Sequence, residues 1–359
     1  MARPAADRLV CAVMAGGSGT RFWPLSRKGE PKQLLRFFGD STLLRATVDR
    51  IAPICPAERR LVITAAHLVD AVRDVLPELG PGQVIGEPAP RNTAPCMAVA
   101  AMVARAIDPD AILALLPADH WVADAGAFQR ALAQAAQAAD SGQIVTLGVV
   151  PTQPETGYGY IETVGPAAEG VTPVVRFVEK PTLDRALQFL AGGRHLWNAG
   201  VFVVRADRAL HALDRHLPDI GRCLAELDHH AVGGEAWHAV IKVAFPHCPS
   251  VSIDYGVMEH ESDIAVVRLD AGWSDVGTWH SILGLRPAGA TNFTYGPVLT
   301  LDSDQCVVIS KGPFVAAVGL HNMAVVATDD ATLVVPLDRS QDVRQVVAEV
   351  TARGRADLL

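Results

Sequence analysis

No two of the six cysteines in this 359-residue sequence form a CxxC pair. Cys11, Cys55, Cys96, Cys223, Cys248 and Cys306 are scattered, which suits neither a zinc site nor a disulfide framework and predicts reduced thiols in the cytoplasm. Metal-ligand spacing such as HExxH is absent as well, so His120, His195, His280 and His321 read as structural or solvated. Positive charge is in short supply: 31 Lys and Arg stand against 39 Asp and Glu, a formal charge of −8. That balance argues against broad nucleic-acid or anionic-membrane binding, because both need a basic face, and any anion must be bound at a local site. No uncharged apolar stretch is long and unbroken enough to span a bilayer. The opening "MARPAADRLVCAVMAGGSG" superficially resembles an export signal. However, Asp7 and Arg8 abut an apolar stretch of only Leu9 to Ala15 and glycines follow, so it reads as a first β-strand. No Ser/His/Asp or Cys/His set stands out, which leaves covalent catalysis without support.

What the sequence does have is apolar and periodic. Half its residues are hydrophobic, enough for a sizeable core, and the length fits one large domain plus a small one. "LVCAVMA", "RLVITAA", "AILALLPA" and "QIVTLGVV" show little polar alternation and end at Gly, Pro or Asp, as buried strands do. Helical patterns lie between them: "STLLRATVDRIA" with Ser41 as cap, "RNTAPCMAVAAMVARA" with Asn92 or Thr93 as cap, and a stretch opening at Asp124. Strand, helix, strand at this spacing predicts an α/β fold with a mostly parallel sheet and helices on both faces, with ligands at the carboxyl ends of the strands. From about Val174 the pattern loosens into mixed elements. A boundary is expected near residue 288, dividing residues 1–287 from a small β-rich module, 288–359, that ends in a charged helix. That module is open to two roles, homodimer contacts or covering a sheet edge.

Several clusters could carry chemistry. Gly17-Ser18-Gly19-Thr20-Arg21 fits neither a dinucleotide loop, which wants glycine where Phe22 stands, nor a Walker loop. What remains is a glycine turn exposing backbone N–H groups, with Arg21 and, eleven residues on, Lys32, a set suited to a triphosphate. The bland reading is an ordinary strand-to-helix turn, with Arg21, Arg27, Lys28, Lys32 and Arg36 as a solvated face. Pro24 and Pro31 break any helical face those cations would share and favour a shaped loop. Asp119 follows a buried strand in "LLPADH", and Asp275 stands in "DAGWSDVGTWH"; two such carboxylates could share one Mg²⁺, or each could cap a local turn. Glu179-Lys180 emerges at a strand end, as a sugar and phosphate ligand pair or as an exposed ion pair. Asn198 is set among apolar neighbours, where its amide must find a ligand hydroxyl or, more commonly, a backbone carbonyl.

"AGGSGTRFWPLSRKGEPKQLL", "EPAPRNTAP", "LLPADH", "PTQPETGYGYIE", "FVEKP", "LWNAGVF", "SIDYGVME" and "DAGWSDVGTW" occur in the order seen in the sugar-nucleotide pyrophosphorylases, and the set resembles their bacterial mannose-1-phosphate guanylyltransferase branch. The match covers about Val10 to Ile282 and resumes in the tail. The resemblance implies a Rossmann-like nucleotidyltransferase sheet and the reaction of GTP with mannose 1-phosphate to give GDP-mannose and pyrophosphate. Carried over by position, Ala15, Gly16, Gly17, Ser18, Gly19 and Thr20 would cradle the triphosphate, with Arg91 and Asn92 adding nucleotide contacts. Arg21 and Lys32 would be the catalytic cations, and Asp119 and Asp275 would hold Mg²⁺. Lys180 would bind the sugar phosphate, while Gly157, Glu179 and Asn198 would hold the sugar. Ala199, Val201 and Gly256 depart from the Ser, Met and Ala more often found, near the expected sugar pocket. Longer relatives add a phosphomannose isomerase domain after the point where this sequence stops, so that activity is not expected. Alternatives are transfer to another sugar 1-phosphate such as a manno-heptose or from another nucleoside triphosphate, a non-catalytic regulatory homologue and, against Phe22, a nicotinamide oxidoreductase.

Overall fold

The computed structural model describes residues 3–17, 19–36, 39, 41–165 and 170–359. The chain divides into two compact units. One comprises Met1–Gly16, Thr47–Ala118 and Val122–Trp273, and the other Gly17–Ala46, Asp119–Trp121 and Ser274–Leu359.

The first unit is built on a nine-stranded sheet. Its early strands are the apolar runs of the sequence: β1 (Leu9–Ala15), β2 (Arg60–Ala65), β3 (Val84–Glu87) and β4 (Ile112–Pro117). After the two-residue β5 (Trp121–Val122) come β6 (Ile144–Val149), β7 (Tyr160–Thr163), β8 (Val171–Val178), β9 (His195–Arg205) and β10 (Ile264–Arg268). The order across the sheet is β3-β2-β1-β4-β9-β6-β10-β8-β7. Parallel pairing runs from β3 to β4 and again between β6 and β10. The sheet becomes mixed where the eleven-residue β9 inserts antiparallel between β4 and β6. β1 is buried along nearly its whole length, because helices cover both faces of the sheet.

Helices alternate with the early strands: α1 (Leu43–Ile51), α2 (Val69–Val75), α3 (Thr93–Ile107) and α4 (Ala125–Asp140). Thr42 rather than Ser41 caps α1, its hydroxyl accepting from Arg45 N at 3.1 Å. Asn92 caps α3 and Asp124 caps α4, as their positions in the sequence suggest. α3 is buried from Ala94 through Ala104. Alanine dominates that run, and small side chains let the helix lie close to the sheet. Further along come α5 (Leu183–Gly192) and α6 (Ala206–His216). Among the described residues no helix is long and apolar enough to cross a membrane.

Buried acids of this unit make its stability depend on pH. Asp108, 3% exposed, accepts from Arg3 at 2.7 Å and Arg59 at 3.1 Å. The Arg3 guanidinium, helped by the Asp110 backbone N–H and Arg59, holds the Asp108 carboxyl down at about 2 against the cost of burial. The Arg208 guanidinium and nearby backbone N–H groups, outweighing burial, hold Glu261 down at about 2 as well. A carboxyl with a depressed folded pKa contributes stability above its unfolded pKa and loses it as the pH falls through the folded value. Thermal unfolding should therefore show a falling Tm between about pH 4 and pH 2, and Asp108→Asn should flatten part of that fall. An unchanged acid profile in the variant would contradict this.

The second unit contains the cation-bearing loop and the β-rich C-terminal segment. The loop forms two short 3₁₀ turns, Thr20–Phe22 and Lys32–Leu34, with a cis Trp23–Pro24 bond between them, so no helical face gathers its cations. The C-terminal strands run largely parallel, Phe293–Tyr295 on Val307–Ser310 on Met323–Ala327, and Val298–Leu301 on Val315–Val318. Phe22, Trp23, Trp279 and Phe293 fill the core between these segments, with the Phe22 and Trp279 rings edge to face at 4.9 Å.

Candidate active site

In the second unit, three segments far apart in sequence meet at one ammonium group. Lys32 Nζ lies 2.8 Å from Asp119 Oδ2 and 2.5 Å from the Asp275 carbonyl oxygen. Lys32 is 5% exposed, whereas the Asp119 side chain keeps 35% of its surface. Burial works against the Asp119 charge, but the Lys32 ammonium outweighs it and holds the carboxyl below its ordinary range. The Asp119 carboxylate and the Asp275 backbone thus meet at one lysine.

The local chain is shaped for this meeting. Gly19 has φ +61°, and a Cβ there would sit 2.5 Å from Lys32 Cβ and 2.8 Å from Lys32 N. Only glycine lets the turn close onto the lysine. The Ser26 hydroxyl donates to Gly19 O at 2.7 Å and fixes the turn. At Asp275, the carboxylate accepts from Gly277 N at 2.9 Å. Between them Val276 is fully buried at φ +47°, a conformation that a β-branched residue adopts only at a cost of roughly 1–3 kcal/mol. Packing in the tryptophan-lined core holds it there. Arg21 is half-buried in the Thr20–Phe22 turn, Thr20 and Gly17 are exposed, and Ser18 lies outside the described residues. Arg27, one of the loop cations that the bland reading placed on a solvated face, finds partners within the protein. It pairs with Asp330 at 2.7 Å, lies over the Trp23 ring and donates to Leu358 O. The sequence groups it with the loop cations because nothing local reveals a partner three hundred residues away.

The first unit holds the other expected residues. Ala15 ends β1, where its carbonyl accepts from the Thr64 hydroxyl at 3.0 Å. A Cβ on Gly16 would stand 3.3 Å from Glu87 Oε2. Glu87 carries no mark in the sequence, although it heads "EPAPRNTAP". Its Oε1 is buried without a hydrogen-bond partner, and burial pushes its carboxyl up to about 7 despite a hydrogen bond with Cys96. Arg91 donates to Pro246 O. Asn92 is at φ +65° and its Oδ1 accepts from Thr93 N at 3.0 Å.

Glu179 and Lys180 form an ion pair, 2.7 Å apart, though not the exposed one of the bland reading: Lys180 is exposed and Glu179 only 8% exposed. Partial burial works against the Lys180 ammonium, but the Glu179 carboxylate more than offsets it and raises its pKa. Lys180 is at φ +44°. Gly157 N donates to Glu155 Oε1 at 2.8 Å. Asn198 finds partners the sequence did not suggest: its Oδ1 takes the Thr146 hydroxyl at 2.9 Å and Gly200 N at 3.1 Å, and its Nδ2 donates to Asp254 at 3.0 Å. Ala199, Val201 and Gly256 are buried. At Gly256 a methyl would stand 2.6 Å from Leu217 Cδ1, so that departure concerns packing. Six non-glycine residues among those described have positive φ, and three of them, Asn92, Lys180 and Val276, fall in the candidate segments. Such strain concentrates at functional sites.

The model of the family described as Nucleotidyl transferase matches residues 11–290. The chain belongs to that family. A second model, a MannoseP isomerase/GMP-like beta-helix domain, matches residues 296–350 of this nucleotidyl transferase. The chain is 42% identical over 361 residues to the alginate biosynthesis protein AlgA of Pseudomonas aeruginosa, covering 97% of this chain and 73% of that one. It is 39% identical over 355 residues to an Escherichia coli protein named mannose-1-phosphate guanylyltransferase, covering 97% and 75%. A solved structure from Thermus thermophilus, described as a mannose-1-phosphate geranyltransferase, superposes with a TM-score of 0.87 at 35% identity over 96% of this chain and 99% of that one.

Proposed function

We propose that this nucleotidyl transferase joins GTP and mannose 1-phosphate into GDP-mannose with release of pyrophosphate. The convergence of Lys32, Asp119 and Asp275 carries the reading. A sugar phosphate oxygen is already anionic and a competent nucleophile, so the reaction needs no general base. Its barrier is mostly repulsion between two anions, which fixed cations lower. Lys32, with Arg21 from the same loop, would neutralise the α-phosphate and the departing pyrophosphate, while the Gly16–Thr20 backbone receives the triphosphate. Lys180 would hold the sugar phosphate, with Glu179 and Asn198 beside the sugar.

Nucleotidyl transferases generally use a divalent metal, and we assign Mg²⁺. The donor set fits it, since two hard carboxylates leave most of an octahedral shell to phosphates and water. Asp119 and Asp275 would hold the ion, which would supply a further positive charge against the triphosphate. The free cysteines agree with a cytoplasmic setting.

Glu87 supports guanine over other bases. A carboxylate whose Oε2 borders Gly16 suits the N1–H and N2–H donors of guanine. Glu87→Gln should raise KM for GTP at least tenfold and leave KM for mannose 1-phosphate unchanged. Equal effects on both would contradict the role. The assignment as a whole is tested by pyrophosphate release across several nucleotides and sugar 1-phosphates. Turnover only with a pair other than GTP and mannose 1-phosphate would overturn it.

A further inference from the structure

Asn198 is already engaged within the protein: its Oδ1 accepts from Gly200 N at 3.1 Å and competes with Val201 O, each at 2.9 Å, for the one proton of the Thr146 hydroxyl, and one N–H is given to Asp254. A pyranose presents hydroxyls that need acceptors, and the acceptors grouped with Asn198 are the carboxylates of Glu179 and Asp254. Asp254 begins a π-helical turn, Asp254–Met258, a wide turn often associated with function. The turn grips both expected sugar residues. The side chain of its first residue holds Asn198, Glu259 N closes onto Asp254 O at 3.1 Å, and Glu259 Oε1 accepts from Glu179 N at 2.9 Å. Gly159 lets both side chains pack close against the backbone, because a Cβ there would stand 2.6 Å from Glu179 Oε2 and 3.3 Å from Asn198 Cβ. Asp254 itself is only partly covered. Burial, and then the nearby Glu179 charge, push its carboxyl up to about 7. Asn198 Nδ2 donates to one oxygen of this carboxylate, and a carboxylate has about four lone-pair sites, so it can accept from a ligand hydroxyl as well.

Building on the function proposed above, we propose that Asp254 accepts a hydrogen bond from a hydroxyl of the sugar 1-phosphate. Together with Glu179 it forms a two-carboxylate clamp that selects the hexose. A site built to hydrogen-bond a particular hydroxyl discriminates strongly against a sugar that lacks it.

The test measures KM and kcat of the unaltered enzyme and Asp254→Asn with GTP and mannose 1-phosphate, and with the 2-, 3-, 4- and 6-deoxy analogues. Asparagine still accepts from Asn198, so the pocket stays assembled. Removing the charge should raise KM for mannose 1-phosphate roughly ten- to hundred-fold, with KM for GTP within about twofold. One deoxy analogue, already poor with the unaltered enzyme, should lose nothing further in the variant. Asp254→Ser should repeat that pattern if the first variant folds poorly. An equal loss on every analogue would make Asp254 a purely structural support and overturn the proposal, as would an unchanged KM. Failure of the unaltered enzyme to use mannose 1-phosphate with GTP would overturn the function reading and this proposal with it.

Discussion

Lys32→Met should lower kcat by about a hundred- to a thousand-fold while the protein melts within a few degrees of the unaltered chain. The two effects separate because they have different sources. For stability, the ion pair with Asp119 counts for little: the carboxylate keeps 35% of its surface and rehydrates when the ammonium is removed. Such partly exposed pairs contribute on the order of 1 kcal/mol or less. Methionine also preserves the buried aliphatic stem, so the cavity cost is small. For the reaction, a fixed charge aimed at developing negative charge is worth roughly 3–4 kcal/mol, and no water can replace it at no reorganisation cost. Steady-state pyrophosphate release and a thermal melt on the same preparation decide the matter. A variant with near-normal kcat would remove Lys32 from the machinery, and one that is inactive because it is unfolded would make the Asp119 pair structural.

Asp275→Asn should lose turnover by about three orders of magnitude with the fold kept. Asparagine retains an oxygen to accept from Gly277 N, so the turn around Val276 is preserved. What it gives up is the negative charge, and a hard divalent ion binds a neutral amide oxygen far less well than a carboxylate. The Mg²⁺ concentration giving half-maximal rate should therefore rise, and the Lys32 contact, which uses the Asp275 backbone oxygen, should be unaffected. Titrating Mg²⁺ against rate for both forms reads this directly. Unchanged turnover with unchanged metal dependence would leave Asp275 a turn residue and favour a regulatory, non-catalytic role for the chain.

The sequence discloses the elements better than their meetings. The early strands lie where uninterrupted apolar runs stand, because a strand covered on both faces has no polar alternation to hide. Asp124 announces α4 because an N-cap acts on an N–H three residues away. The same locality fails at α1, where Ser41 and Thr42 are equally good caps and only the path of the chain chose Thr42. Asn198 stands out for its apolar surroundings, but its partners Thr146 and Asp254 lie 52 and 56 residues away. Glu87 and Asp254 stand inside conspicuous motifs with nothing local to single them out. An acid looks alike in sequence whether it is solvated or stripped of water, and burial is the largest cause of the difference at both residues.

By itself, then, the amino-acid order settled what neighbouring residues settle among themselves: which runs are strands, where helices begin, and that the cation-bearing loop cannot be a helix with Pro24 and Pro31 in it. It also limited any anion site to a local one, since charge balance is a property of the whole chain. Folding alone decided that Lys32 would reach Asp119, 87 residues on, and Asp275, 243 residues on, and that Arg27 would be spent on Asp330 instead. Closing a long stretch of chain costs little more entropy than closing a moderate one, so spacing carries almost no information about which distant groups meet. That choice belongs to the packing of the core, which fixes where each strand end and turn comes to rest.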